Sequence, residues 1–269
     1  MYLEHWGLTD LPFENTPDPR FFYESEKHVE ALSRFQYLVR ERKACGVLTG
    51  VYGCGKTLVL HALMKSMESE GCKFSTVTNP RLDDLGLLRM ILHSFRKGDI
   101  PAGKADVLME MERTIRQVAD DGKHSVIVID EAHAIENEMV FEELRLLLNF
   151  QTETRFLVTL LLVGQPELKA RVESNKQLNQ RVSLRFHLGP FDAKDTGKYI
   201  EHRMQVAGRD SSDIFKPDTV EMVHKHSGGI PRWINQICHF SLLIGFSKGA
   251  REITSGIIQE ATQDLGGLI

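Results

Sequence analysis

Short apolar runs alternate along the chain with longer stretches whose apolar residues recur every three to four positions. Runs at 45–49, 73–77, 126–129, 156–163 and 182–187 read as strands. The run 126–129, Val-Ile-Val-Ile, is apolar at every position, which suits a parallel sheet covered on both faces. Stretches at 26–42, 58–65, 82–95, 105–121 and 138–150 read as helices. In the first, Val29, Leu32, Phe35, Leu38 and Val39 share one face. Strands alternating with helices predict a parallel α/β sheet.

The pattern changes after Asp192. Helices are expected at 192–206, opened by an Asp192 cap, at 217–226 from Pro217, at 232–246 and at 255–265. The first 25 residues hold Pro12, Pro17 and Pro19 among aromatics and read as an extended arm without a regular element. The predicted organisation is an arm at 1–25, an α/β core at 26–190 and an all-helical lid at 191–269.

The junction between the first strand and the next helix carries the chemistry. Gly50-Val51-Tyr52-Gly53-Cys54-Gly55-Lys56-Thr57 reads G-x-x-x-x-G-K-T, and Leu58 continues it into the helix. Strand, glycine loop, helix is the setting of a phosphate-binding loop. Glycines let backbone N–H groups curl around an anion, and the helix N-terminus adds its partial positive charge. Lys56 is expected at the β- and γ-phosphates and Thr57 at Mg²⁺. Cys54 lies within the cradle, so a thiol reagent is expected to block ATP binding.

Asp130-Glu131-Ala132-His133 follows the all-apolar strand. A carboxylate there is costly to bury unless it meets a cation, so Asp130 is a candidate Mg²⁺ ligand. Glu131 is a candidate base for the attacking water. The alternative is two acids capping a helix. The string D-E-A-H also occurs in one helicase group, which needs two motor domains where this chain has room for one. Gln165, after the fourth strand, either contacts the γ-phosphate or the attacking water, or caps the helix that starts at Pro166. Arg181 and Arg185 flank the fifth strand; either serves as an arginine finger from a neighbouring subunit or is a solvated surface residue. Arg232 opens a lid helix, placed to report nucleotide state or simply exposed.

Composition narrows the setting only a little. The 269 residues carry a formal net charge of -4, with 42% hydrophobic and 26% charged residues, ordinary for a globular protein. A basic stripe of Lys65, Lys73, Arg81, Arg89, Arg96 and Lys97 keeps DNA open as a partner despite the net charge. Four cysteines without C-x-x-C spacing indicate a reduced compartment. The N-terminus lacks signal-peptide features, and the longest apolar runs fall short of the roughly 20 residues of a membrane helix. A cytoplasmic protein is expected.

The motifs in their order resemble the AAA+ ATPases of the general secretion pathway protein A (ExeA) type, to which pilus-biogenesis MshM proteins are related. G-V-Y-G-C-G-K-T, V-I-V-I-D-E-A-H, L-L-L-V-G-Q-P-E-L, L-N-Q-R-V-S-L-R-F-H-L-G-P and S-G-G-I-P-R-W-I-N carry the resemblance, together with the opening M-Y-L-E-H-W-G-L. It implies a P-loop NTPase of the AAA+ class: a five-stranded parallel α/β core with a C-terminal helical lid. It implies ATP and Mg²⁺ at Lys56, Thr57 and Asp130, with Glu131 as base. It further implies Gln165 as first sensor, Arg232 as second sensor, Arg181 as the finger acting in trans, and the arm around Pro12 and Phe13 beside the adenine. A ring or filament of copies and a separate membrane-bound partner are implied, in a type II secretion or type IV pilus-like machine, with the protein peripheral to the inner membrane through that partner. Such proteins usually continue into a membrane helix and a peptidoglycan-binding part, so peptidoglycan binding is not carried over. They usually have Gln where this chain has His133, a difference expected to alter the coupling between the site and the neighbouring strand. Two rivals remain: an ATP-dependent DNA-binding regulator, similar to the target-selection ATPases of Tn7-like transposons, and a nucleotide switch with negligible turnover.

Overall fold

The computed structural model describes residues 2–16, 18–96 and 98–266. Pro17 of the arm, Lys97 of the basic stripe and the ends of the predicted arm and lid, at 1 and 267–269, lie outside them. In chain order the elements are α1 (Tyr2–Trp6), a 3₁₀ turn (Pro19–Phe21), α2 (Glu26–Arg40), β1 (Cys45–Gly50), α3 (Lys56–Glu68), β2 (Cys72–Val77), α4 (Asp84–Phe95) and α5 (Lys104–Asp120). There follow β3 (His124–Ile129), a 3₁₀ turn (Ala132–Ala134), α6 (Glu138–Leu147), β4 (Val158–Gly164), α7 (Glu167–Ser174), α8 (Lys176–Arg181) and β5 (Val182–Leu188). The chain closes with α9 (Ala193–Val206), α10 (Pro217–Ser227), α11 (Pro231–Ser247) and α12 (Ser255–Asp264). The residues fall into two compact units. One holds His28–Tyr52 and Val59–Leu188; the other holds Met1–Lys27, Gly53–Leu58 and Gly189–Ile269.

The first unit is an α/β sheet domain. Its five strands are all parallel, in the order β2-β3-β4-β1-β5. β1, β3 and β4 are buried at every residue, as their unbroken apolar runs require, whereas the edge strands β2 and β5 alternate in exposure. Apolar residues of α4, α5 and α6 cover the sheet, with Leu87, Ile91, Met111, Ile115 and Leu144 wholly buried.

Parallel strands put all their carboxyl ends on one edge. Thr49 of β1 sits opposite Gly164 of β4, and Ile129 of β3 opposite Leu162 of β4. Gly50, Asp130 and Gln165 therefore leave the sheet side by side. One local reading is corrected here and one unforeseen element is added. The fourth strand starts at Val158, because Phe156 makes an antiparallel bridge to Gln151 in a tight turn. A short helix precedes β5, capped where Asn175 accepts the Leu178 N–H at 2.9 Å.

The second unit is built around the helices α9 to α12. Asp192 caps α9 by accepting the Asp195 N–H at 2.7 Å, and Pro217 and Pro231 take the first turns of α10 and α11. The N-terminal segment belongs to this unit and is not devoid of regular structure, a further correction: α1 precedes the first proline, and Pro19 opens the 3₁₀ turn. Trp6, Phe13 and Phe21 enter the same apolar cluster as Phe191, Tyr199 and Ile234. Trp6 donates its indole N–H to the Leu242 carbonyl at 2.9 Å. The buried Arg203 of α9 fastens the segment: it donates to the Pro12 carbonyl, to the Glu14 carbonyl at 2.8 Å and to the Tyr199 hydroxyl at 2.8 Å, and stacks 4.7 Å from the Phe21 ring. An arginine buried this way is retained because its donors are met.

Candidate nucleotide site

At the end of β1 the chain turns through five residues and enters α3 at Lys56. Gly50 sits so close to β5 that an added Cβ would lie 2.5 Å from the Leu188 carbonyl oxygen, so no other residue fits. Val51 and Tyr52 follow, with Tyr52 exposed. Gly53 (φ 85°) and Gly55 (φ 93°) hold left-handed backbone, which side chains disfavour. The loop therefore has the curl that phosphate oxygens need from N–H groups. Lys56, only 6% exposed, and the exposed Thr57 occupy the first turn of α3, with Leu58 after them. Cys54, in the middle of the loop, is fully buried.

The loop's second half meets the lid within one unit. The Arg232 N–H, in the first turn of α11, donates to the Gly53 carbonyl at 3.3 Å. An added Cβ on Gly53 would lie 2.7 Å from the Arg232 Cβ. Gly53 is therefore required twice over, by its φ and by this approach.

The sheet unit brings Asp130, Glu131, His133 and Gln165 together. The Asp130 N–H extends the β2 pairing by donating to the Val77 carbonyl at 2.9 Å, which places the carboxylate at the strand tip, 6% exposed. Asp130 Oδ1 accepts the Glu131 N–H at 2.9 Å. Glu131 takes a left-handed conformation (φ 53°, ψ 31°), costing roughly 1–2 kcal/mol for a residue with a Cβ. Strain of that kind concentrates at functional sites. Glu131 Oε2 stands 3.2 Å from His133 Nδ1, and the same Nδ1 accepts the Gln165 N–H at 3.3 Å. A Cβ at Gly164 would lie 3.1 Å from that nitrogen and 3.0 Å from the His133 backbone nitrogen. His133 is thus a hydrogen-bonding bridge between the β3 and β4 tips, in line with its expected effect on coupling between the site and the neighbouring strand. Gln165 also accepts the Leu168 N–H of α7 at 3.0 Å through its carbonyl.

Arg181 and Arg185 are placed differently. Arg185 is bound within its own chain, donating to Asn179 Oδ1 at 2.5 Å. Arg181 ends α8 and directly precedes Val182, which pairs with Cys45 at the start of β1. The strand length from Cys45 to Gly50, about 17–20 Å, separates it from the edge that carries Gly50, Asp130 and Gln165. Within one chain Arg181 is out of reach of that edge. In the basic stripe, Arg96 pairs with Glu110 and is partly buried, so the stripe is not a continuous free surface.

Residues 39–172 match the AAA domain family. The whole chain (100%) is 36% identical over 275 aligned residues to general secretion pathway protein A of Aeromonas hydrophila, of which it covers 49%. Over 161 residues, 58% of the chain, it is 27% identical to an uncharacterized HTH-type transcriptional regulator of Methanocaldococcus jannaschii, covering 39% of that protein. The chain thus spans about half or less of the curated relatives it matches. Among solved structures it resembles Cdc6p from Pyrobaculum aerophilum, with TM-score 0.72, 14% identity, 92% of this chain and 70% of that one. The Aeropyrum pernix ORC2 protein in ADPNP–ADP complexes gives TM-score 0.70, 15% identity, 92% and 71%. The Thermotoga maritima RuvB Holliday junction branch migration motor gives TM-score 0.60, 20% identity, 89% and 67%. Likeness at such low identity establishes the α/β fold and nothing finer.

Proposed function

We propose that this chain, which belongs to the AAA+ family of the general secretion pathway protein A type, binds ATP with Mg²⁺ and hydrolyses it. The observation that carries the reading is the loop itself: Gly53 and Gly55 in left-handed backbone directly ahead of Lys56 at the start of α3. Lys56 binds the β- and γ-phosphates. The Thr57 hydroxyl and the Asp130 carboxylate offer hard oxygen donors, which suit a hard dication such as Mg²⁺. The metal's chemistry is to neutralise charge on the phosphate oxygens. Glu131 takes the proton of the attacking water, and Gln165 and Arg232 respond to the γ-phosphate.

The proposed setting is envelope assembly. Copies of the chain assemble into a ring or filament, with Arg181 of one completing the site of the next, and act with a separate membrane-bound partner in a type II secretion or type IV pilus-like machine. A cytoplasmic location, peripheral to the inner membrane, accords with this; among the described residues no helix is long and apolar enough to cross a membrane. The similarity to general secretion pathway protein A supports the reading over a DNA-binding role.

One experiment separates binding from chemistry. Lys56→Ala is expected to weaken ATP binding and abolish phosphate release. Glu131→Gln is expected to keep ATP bound while turnover falls by at least about 10²-fold. Unchanged phosphate release from Lys56→Ala rules out this site.

A further inference from the structure

The amino edge of the sheet, opposite the nucleotide edge, holds an uncompensated pair of cations. Helix α2 ends at Arg40 and closes with two reversed hydrogen bonds: Lys43 N–H to the Leu38 carbonyl at 2.9 Å and Arg42 N–H to the Val39 carbonyl at 3.0 Å. Glycine is the usual occupant of the left-handed position in such a closure. Here it is Arg42, at φ 48°. The second cation comes from the turn before β4. There Thr152 N–H donates to the Arg155 carbonyl at 2.8 Å, and Arg155 N–H to Thr152 Oγ1 at 3.2 Å.

Arg42, Lys43 and Arg155 line an open cleft of about 410 Å³ together with Thr152 and Thr154. Arg42 Nη1 is buried without a hydrogen-bond partner. Two exposed carboxylates, Glu41 and Glu153, also line the cleft, yet among the described residues neither arginine forms an ion pair. Burial and then the neighbouring Arg155 hold Arg42 below the usual arginine range. The helix dipole accounts for one cation near the end of α2, not for a second set against it.

Among the described residues, Thr159, His124 and Cys72 are packed beneath, and none of the three carries a negative charge. Thr159 Oγ1 gives its only proton to the Lys43 carbonyl at 2.7 Å, so toward His124 Nε2, at 2.8 Å, it accepts. His124 is therefore protonated at Nε2 and bare at Nδ1, which is itself buried and unpartnered. Burial, then Arg42 and Arg155, pushes its pKa down to about 3, so it is neutral. The half-buried Cys72 thiol is pushed up by burial and then by Glu70, whose carboxylate is paired with Arg40 at 2.6 Å.

Backbone strain, an orphaned buried donor and like-charge repulsion thus meet at one residue, where a glycine would avoid all three. We propose that this cleft binds a phosphate-class oxyanion, a free phosphate or phosphomonoester dianion, between the Arg42 and Arg155 guanidinium groups. Their planar forks match phosphate oxygens, and Lys43 adds a third charge. The site is separate from the nucleotide loop, which lies at the far end of β1.

The test uses the whole protein with saturating Mg·ADP, so that the phosphate loop is filled. Thermal unfolding is followed with inorganic phosphate and with sodium chloride at matched ionic strength. Phosphate at roughly ten times its Kd is expected to raise Tm by about 2–4 °C, and chloride to have little effect. Arg155→Ala and Arg42→Gly are each expected to remove most of the phosphate response while leaving ATP turnover unchanged. Arg42→Gly relieves the backbone, so without phosphate it is expected to be at least as stable as the natural chain; its lost response is then not a folding defect. An equal shift with chloride, or a full shift in both variants, overturns the proposal. A single-stranded oligonucleotide that binds where inorganic phosphate does not overturns it as well.

Discussion

At the residue scale, His133 Nδ1 faces two partners whose demands conflict. When the nitrogen carries a lone pair it accepts the Gln165 N–H, and the Glu131 carboxylate faces no donor. When it carries a proton it donates to Glu131, and the Gln165 N–H loses its acceptor. One atom cannot satisfy both, so the orientation of the carboxylate and the position of the β4 tip are tied. His133→Ala is expected to lower kcat, by up to about 10²-fold, with KM for ATP changed no more than about twofold. His133→Gln, which has both a donor and an acceptor, is expected to recover much of it. A change in KM with kcat intact would make His133 structural. Sequence reading found Asp130 and Glu131 because a carboxylate after an all-apolar strand is conspicuous. It expected His133 to affect coupling to the neighbouring strand but not through which partner, because Gln165 lies 32 positions from His133 and nothing local pairs them.

At the element scale, legibility followed burial. β1, β3 and β4 are buried throughout, and their apolar runs were plain in the sequence. The helix before β5 was not, because six residues with a single buried apolar side chain, Leu178, leave no period to read. α1 was obscured by the prolines that follow it. The turn between α10 and α11 shows how finely one element is specified. Gly228 (φ 57°) has open space around it, whereas a Cβ on Gly229 (φ 73°) would lie 2.0 Å from the Phe191 carbonyl oxygen. Gly229 also accepts the Phe191 N–H at 2.8 Å. Gly228→Ala is expected to cost about 1 kcal/mol, from backbone strain alone. Gly229→Ala adds a clash with rigid backbone and is expected to cost roughly 2–4 kcal/mol in urea unfolding. Equal costs would show that Phe191 yields.

At the scale of the whole molecule, the polarity of the sheet decides what Arg181 can do. All five strands run the same way, so a residue that precedes β5 is barred from the edge that follows β1. The finger assignment therefore holds only between copies. An inactive Arg181→Ala protein mixed with an inactive Lys56→Ala protein is expected to regain a measurable fraction of ATP turnover, rising with concentration. No recovery at any ratio, with assembly confirmed by sedimentation, rules out the shared site. The five-stranded α/β architecture and the helical lid were legible in the sequence because their hydrophobic periods differ. That the N-terminal segment shares a core with the lid was not, since Arg203 and Pro12 meet across 191 residues.

The boundary between the two compact units falls inside the phosphate loop, between Tyr52 and Gly53, and the chain crosses back after Leu58. A nucleotide-binding fragment therefore cannot be obtained by trimming at that border. A piece ending at Leu188 would keep the strand that launches the loop and discard the helix that holds Gly53 in place. Grafting the sheet alone onto another scaffold would transplant the first half of the loop without the residues from Gly53 to Leu58, which belong to the other unit.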